Sequence, residues 1–75
     1  MKIGDTYYYA RSLSSVTIYE VITLRIRKVE KTWFAGVDEK TQQAFLFDNG
    51  KIGVTIFENR NEALEIVKEI EENNK

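Results

Sequence analysis

Arg25 and Arg27 stand two residues apart, so a strand that carries them turns both to one face. Two guanidinium groups on one face offer paired donor forks that fit phosphate or carboxylate oxygens. Tyr19 precedes them on the same parity, Lys28 and Lys31 follow, and Trp33 comes just after, its own parity open. Tyr, Trp and Arg are the residue types enriched at binding hot spots. The same mixture can stack nucleobases on a small barrel. Two plainer readings compete with both. Large aromatics tend to be core or rim, and exposed strand cations discourage edge association.

Other chemistry is poorly supplied. The chain has no histidine, which removes the commonest general base and metal ligand, and it has no cysteine. Ser12, Ser14 and Ser15 therefore have no histidine partner for a nucleophilic triad. Glu20 breaks an apolar parity and is the one candidate for a perturbed acid. A local bulge that turns it to solvent is the simpler expectation. Asp38-Glu39 and Glu71-Glu72 are too local to form a separated pair of catalytic carboxylates. Gly50 and Gly53 lack the helix start and the Lys-Ser/Thr of a phosphate loop. No catalytic, cofactor-binding or metal residue is assigned, and an enzyme is not expected.

Composition sets the frame for these residues. Seventy-five residues suffice for one domain. A domain this small buries only about 60% of the surface its unfolded chain exposes, so it is marginal as a monomer. Charged residues make up 31% and hydrophobic ones 43%, a globular mixture, and the 12% aromatic share argues against disorder. Residues 1–60 carry nine Lys and Arg against seven Asp and Glu, whereas residues 61–75 carry two Lys against five Glu. The body is faintly basic and the tail acidic, without the strong basic excess of a dedicated nucleic-acid binder. The opening residues lack the apolar stretch of a signal peptide, and no run approaches the roughly 20 apolar residues of a membrane helix. A cytoplasmic protein is expected.

The elements that must position the Arg and aromatic residues follow from periodicity. Residues 2–10 read as a first strand and 11–15 as a polar connector. In residues 16–29 Val16, Ile18, Ile22, Leu24 and Ile26 alternate with Thr17, Tyr19, Thr23, Arg25 and Arg27, which predicts a long strand with one buried face. Glu20 and Val21 both violate that pattern, as a bulge there would explain. Residues 32–38 and 43–48 read as further strands about a turn. Asn49-Gly50 then predicts a type I′ hairpin returning through residues 51–57. From residue 60 the period becomes helical, with Ala63, Ile66, Val67 and Ile70 on one stripe and Asn59 or Asn61 as cap. This acidic helix is expected to be the lid of the chain's own sheet, with docking in a partner groove as the alternative.

The expected fold is mainly β with one C-terminal α-helix: a small five-stranded SH3-like barrel or roll. Residues 1–75 form a single domain, with the barrel in 1–58 and the amphipathic helix in 59–73.

Several runs follow one another in a familiar order: Tyr7-Tyr8-Tyr9-Ala10-Arg11, Ile18-Tyr19-Glu20-Val21, Leu24-Arg25-Ile26-Arg27, Thr32-Trp33-Phe34, Gly36-Val37-Asp38, Ala44-Phe45-Leu46-Phe47, and Asn59-Arg60 with Glu62-Ala63-Leu64. In this order the chain resembles a group of small, uncharacterised proteins encoded by phages and prophages of Gram-positive bacteria. The resemblance covers nearly the whole chain and implies a mobile-element context, with no assigned activity and no mechanism. The Ser12–Ser15 loop departs from the group, whose members vary there and often carry Cys or Pro.

Together these readings give a small non-enzymatic binding or accessory protein that docks on a host or phage protein, with inhibition of a host defence as one form. The alternative is a nucleic-acid-binding accessory using the Tyr/Arg sheet face. Partner contact is expected at Tyr19, Arg25, Arg27 and Trp33, with no cofactor and no membrane.

Overall fold

The computed structural model describes the backbone of residues 1–13 and 18–73, and the side chains of residues 1–11 and 20–69. The described residues form five antiparallel strands and one C-terminal helix: β1 (Thr6–Leu13), β2 (Ile18–Val29), β3 (Trp33–Asp38), β4 (Ala44–Asp48), β5 (Ile56–Phe57) and α1 (Arg60–Asn73). They form one sheet in the order β4-β3-β2-β1-β5.

The sheet is curled. Its concave face buries Tyr7, Ile22, Leu24, Ile26, Phe34 and Ile56, with the half-buried Tyr9, Phe45 and Phe47 packed against them. The expected inward parity of β2 holds for Ile22, Leu24 and Ile26. Val16 and the side chain of Ile18 lie outside the described residues. Gly36 lies opposite Ile26, and a Cβ there would stand 3.2 Å from the Leu24 Cβ. The absent side chain lets β2 and β3 close over the core.

The convex face carries a second, smaller core. Ala10 and Phe57 are buried with Ala63 and Val67 of the helix, flanked by Tyr8, Val21 and Ile66. This explains the apolar Val21 on the polar parity of β2: it faces the helix. The sheet is thus apolar on both faces where α1 lies over β1, β2 and β5. Asn59 starts the helix, its side-chain oxygen accepting the Asn61 N–H at 2.8 Å. The side chain of Ile70 lies outside the described residues.

Four expectations need correction. β1 begins at Thr6 and runs through Leu13, taking in residues read as connector. Alternate residues Tyr7 and Tyr9 feed the concave core while Tyr8 and Ala10 feed the helix side, so pairing continues as far as β2 extends.

The expected bulge at Glu20 is absent. The β1–β2 ladder is regular from Thr6↔Arg25 to Leu13↔Ile18, and the irregularity falls between Ile26 and Lys28, against β3. Glu20 is exposed because it lies on the concave parity beyond the core, opposite Arg11, whose Nη1 is 3.7 Å from its Oε1.

Asn49-Gly50 does not make a hairpin. Asn49–Lys51 is a turn of 3-10 helix, because the Asp48 carboxylate accepts the Gly50 N–H at 2.8 Å and the Asn49 side chain donates to the Lys31 carbonyl at 3.0 Å. Neither Asn49 nor Gly50 takes the positive φ that a type I′ turn requires.

The returning strand shrinks accordingly to Ile56–Phe57. It leaves β4 and pairs with β1 at the other edge, through Tyr8↔Phe57 and Tyr9↔Ile56. Gly53, read inside a strand, sits in the preceding turn with φ +84°, a conformation glycine adopts readily.

Candidate partner-binding face

The helix covers only part of the convex face. Cross-strand pairing places the remaining outward residues in rows: Arg25, Val37 and Ala44; then Lys28, Ala35 and Leu46; then Trp33 beside Asp48. Val37, Ala35 and Trp33 are half-buried, while Leu46 is 74% exposed. This uncovered patch on β3 and β4 is apolar at its centre and cationic along the β2 side.

Arg25 is exposed but engaged. Its Nε and Nη2 donate to Glu39 Oε1 at 3.0 and 2.7 Å, and its Nη1 donates to the Gly4 carbonyl at 3.3 Å. An exposed pair of this kind contributes about 0–1 kcal/mol, so a stronger acceptor can displace Glu39. Arg27 is the extra residue of the irregular step between Ile26 and Lys28 and is exposed. Among the described residues it makes no ion pair. Both arginines line a shallow groove of about 510 Å³ together with Ile3, Val37 and Glu39. The structure therefore brings the two together, with the Arg27 fork open and the Arg25 fork occupied.

Trp33 lies on the same sheet face, four residues along β3 from Val37, which is about 13 Å at the rise of a strand. The Lys28 ammonium stands 5.4 Å from its ring centroid, and 3.7 Å from Glu30. A cation–π contact of this kind near the surface contributes about 0.5–1 kcal/mol. Tyr19 pairs with Ser12 at the far end of β2, so its backbone is remote from Arg25; its side chain lies outside the described residues.

Two participants were not singled out from sequence as binding residues. Leu46 could have been found from Phe45-Leu46-Phe47, because a strand cannot turn three consecutive apolar side chains to one core. Glu39 had no local signal, since its partner is 14 residues away.

The polar chemistry elsewhere is structural. Asp38 is the one buried charged residue among those described, and its carboxylate accepts the Lys40 N–H at 2.8 Å, pinning the β3–β4 turn. Tyr7 donates from its hydroxyl to Glu58 Oε1 at 3.0 Å, tying β1 to the segment before the helix. Burial first, then the Glu58 carboxylate, holds the Tyr7 phenol above its ordinary range. Among the described residues no group of three Asp, Glu, His or Cys is placed to hold a metal ion, and no helix is long and apolar enough to cross a membrane.

Comparisons with protein-family models, with curated proteins and with solved structures found no match.

Proposed function

We propose that this chain is a small non-enzymatic binding protein that docks on another protein through the convex face of β2, β3 and β4. The observation that supports this reading is the patch the helix leaves uncovered. It combines Trp33, held under Lys28, with the open Arg27 fork and the exposed Leu46. Aromatic and Arg anchors around an apolar centre are the usual energetic core of a protein interface. The cations Arg27, Lys28 and Lys31 suit a partner surface with an acidic rim.

A phage or mobile-element origin, with action in the cytoplasm of the host cell, rests on the order of the sequence runs. The strand order β4-β3-β2-β1-β5, with a 3-10 turn before β5, supports reading the roll as SH3-like.

The experiment is affinity capture from bacterial lysate with and without nuclease, followed by salt titration of the complex. A protein partner survives nuclease and weakens only modestly with salt. Loss on nuclease treatment, with a steep salt slope from released counterions, would favour the nucleic-acid reading instead.

A further inference from the structure

β4 is the terminal strand of the sheet, and its pairing with β3 fixes which of its backbone groups face outward. Asp38 N–H donates to the Gln43 carbonyl at 2.9 Å, and Asn49 N–H donates to the Thr32 carbonyl at 3.0 Å. These two bonds set the phase of the β3–β4 ladder. Hydrogen-bonded pairs alternate along an antiparallel ladder, so Phe45 and Phe47 bond to Gly36 and Phe34. Ala44, Leu46 and Asp48 then turn their own N–H and C=O groups away from β3. All three are exposed, and among the described residues none of those groups has another backbone partner.

Natural sheets blunt such an edge with Lys, Pro, a bulge or a very short strand. The opposite edge does so, since β5 is two residues long. β4 reads Ala-Phe-Leu-Phe-Asp, with no Lys, Pro or bulge, and presents Leu46 at 74% exposure.

We propose that β4 is a homodimerisation edge, to which a second copy of this chain adds its own β4, antiparallel, about a two-fold axis through Leu46. The strand is self-complementary in this register. The outward-bonding residues pair as Leu46 with Leu46 and Ala44 with Asp48 of the second copy. Phe45 meets Phe47 of the second copy on the concave side, in the closer non-hydrogen-bonded pairing. Beyond the strand, Gln43 faces Asn49 and Thr41 faces Lys51, so no like charges oppose one another. The contact is isologous, as a closed two-fold dimer requires. It also adds apolar burial to a chain of 75 residues that has no disulfide to staple it.

The proposal shares Leu46 with the docking patch but needs no partner protein, and it is tested on the isolated chain. Sedimentation equilibrium from about 1 µM to about 1 mM covers the affinities of small interfaces. The mass is expected to rise from 8.8 kDa toward twice that value. Leu46→Lys should weaken association at least tenfold while circular dichroism stays unchanged. Leu46→Cys supplies a second arm, because this chain has no cysteine of its own. Facing Cα atoms of a hydrogen-bonded pair lie about 5.5 Å apart, within disulfide reach. Mild oxidation should therefore cross-link Leu46→Cys quickly and leave Glu65→Cys, on the exposed side of the helix, largely monomeric. A wild-type chain that stays monomeric at about 1 mM, or a dimer indifferent to Leu46→Lys, would overturn the proposal. Equal cross-linking at both positions would also overturn it.

Discussion

The ring of Tyr9 on β1 meets the ring of Phe47 on β4 edge-on, with centroids 4.8 Å apart and planes at 75°, although β2 and β3 lie between the two strands. Three strand spacings in a flat sheet would separate β1 from β4 by about 14 Å. The contact therefore measures the curl that converts the sheet into a half-barrel. Phe45 joins it at 5.8 Å from Tyr9, and Phe34 stacks on Phe47 at 5.3 Å. Truncating Tyr9 or Phe47 to Ala should each cost about 2–3 kcal/mol, below the 3–5 typical of fully buried rings. A double-mutant cycle should return about 0.5–1.5 kcal/mol of coupling. Strict additivity in chemical denaturation would mean that the rings do not hold the curl closed.

Gly36→Ala tests the close approach of β2 and β3. The added Cβ would stand 3.2 Å from the Leu24 Cβ, an atom that no rotamer change can move. Leu24 is fully buried, so the strands must separate. The expected loss is about 1–3 kcal/mol, despite the usual preference for Ala over Gly in a strand. A variant as stable as the parent in urea would show that the ladder yields freely there.

Val67→Asp tests the docking of the helix. Val67 lies with Ala10 and Phe57 in the convex core, where a carboxylate finds no partner. A loss of about 3 kcal/mol or more should lower the thermal midpoint by more than about 10 °C. An unchanged midpoint would mean that α1 does not pack on the sheet.

Tyr7 gives the fold an alkaline limit. Its phenol is held above the ordinary value near 10, first by burial and then by Glu58, so the folded chain keeps that proton longer than the unfolded chain does. The stability it contributes is fully present below the unfolded value. It is lost as pH rises from there through the folded value, because the unfolded state releases the proton first. Denaturation followed from about pH 8 to about pH 12 should show stability falling above about pH 10. Tyr7→Phe should flatten that fall and cost about 1 kcal/mol at neutral pH through the lost bond to Glu58. An identical alkaline profile in the variant would remove Tyr7 as its cause.

Much of the architecture was legible because burial on a strand or helix leaves a period. Ile22, Leu24 and Ile26 alternate, Ala63 and Val67 are spaced for one helix face, and both signals led to the right elements. Asn49-Gly50 misled because Asp48 and Lys31, one adjacent and one distant, satisfy its donors in a tighter turn. The destination of β5 was illegible, since pairing with β1 rather than β4 joins residues about 48 apart in sequence. The binding face was half legible. Arg25 and Arg27 do line one groove, but the irregular step at Arg27 and the occupation of Arg25 by Glu39 depend on β3 and its turn.

If a partner protein docks on the convex face that carries Trp33 and Arg27, truncating these two residues weakens the complex while the fold survives. Arg27→Ala should change folding stability by no more than about 0.5 kcal/mol, and Trp33→Ala by about 1–1.5 kcal/mol for a half-buried ring. Each should raise the dissociation constant of the nuclease-resistant partner by tenfold or more, measured by titration calorimetry or surface binding. That change corresponds to about 1.4 kcal/mol of lost contact. Folded variants that bind the partner as tightly as the parent would mean that the partner does not dock on this face.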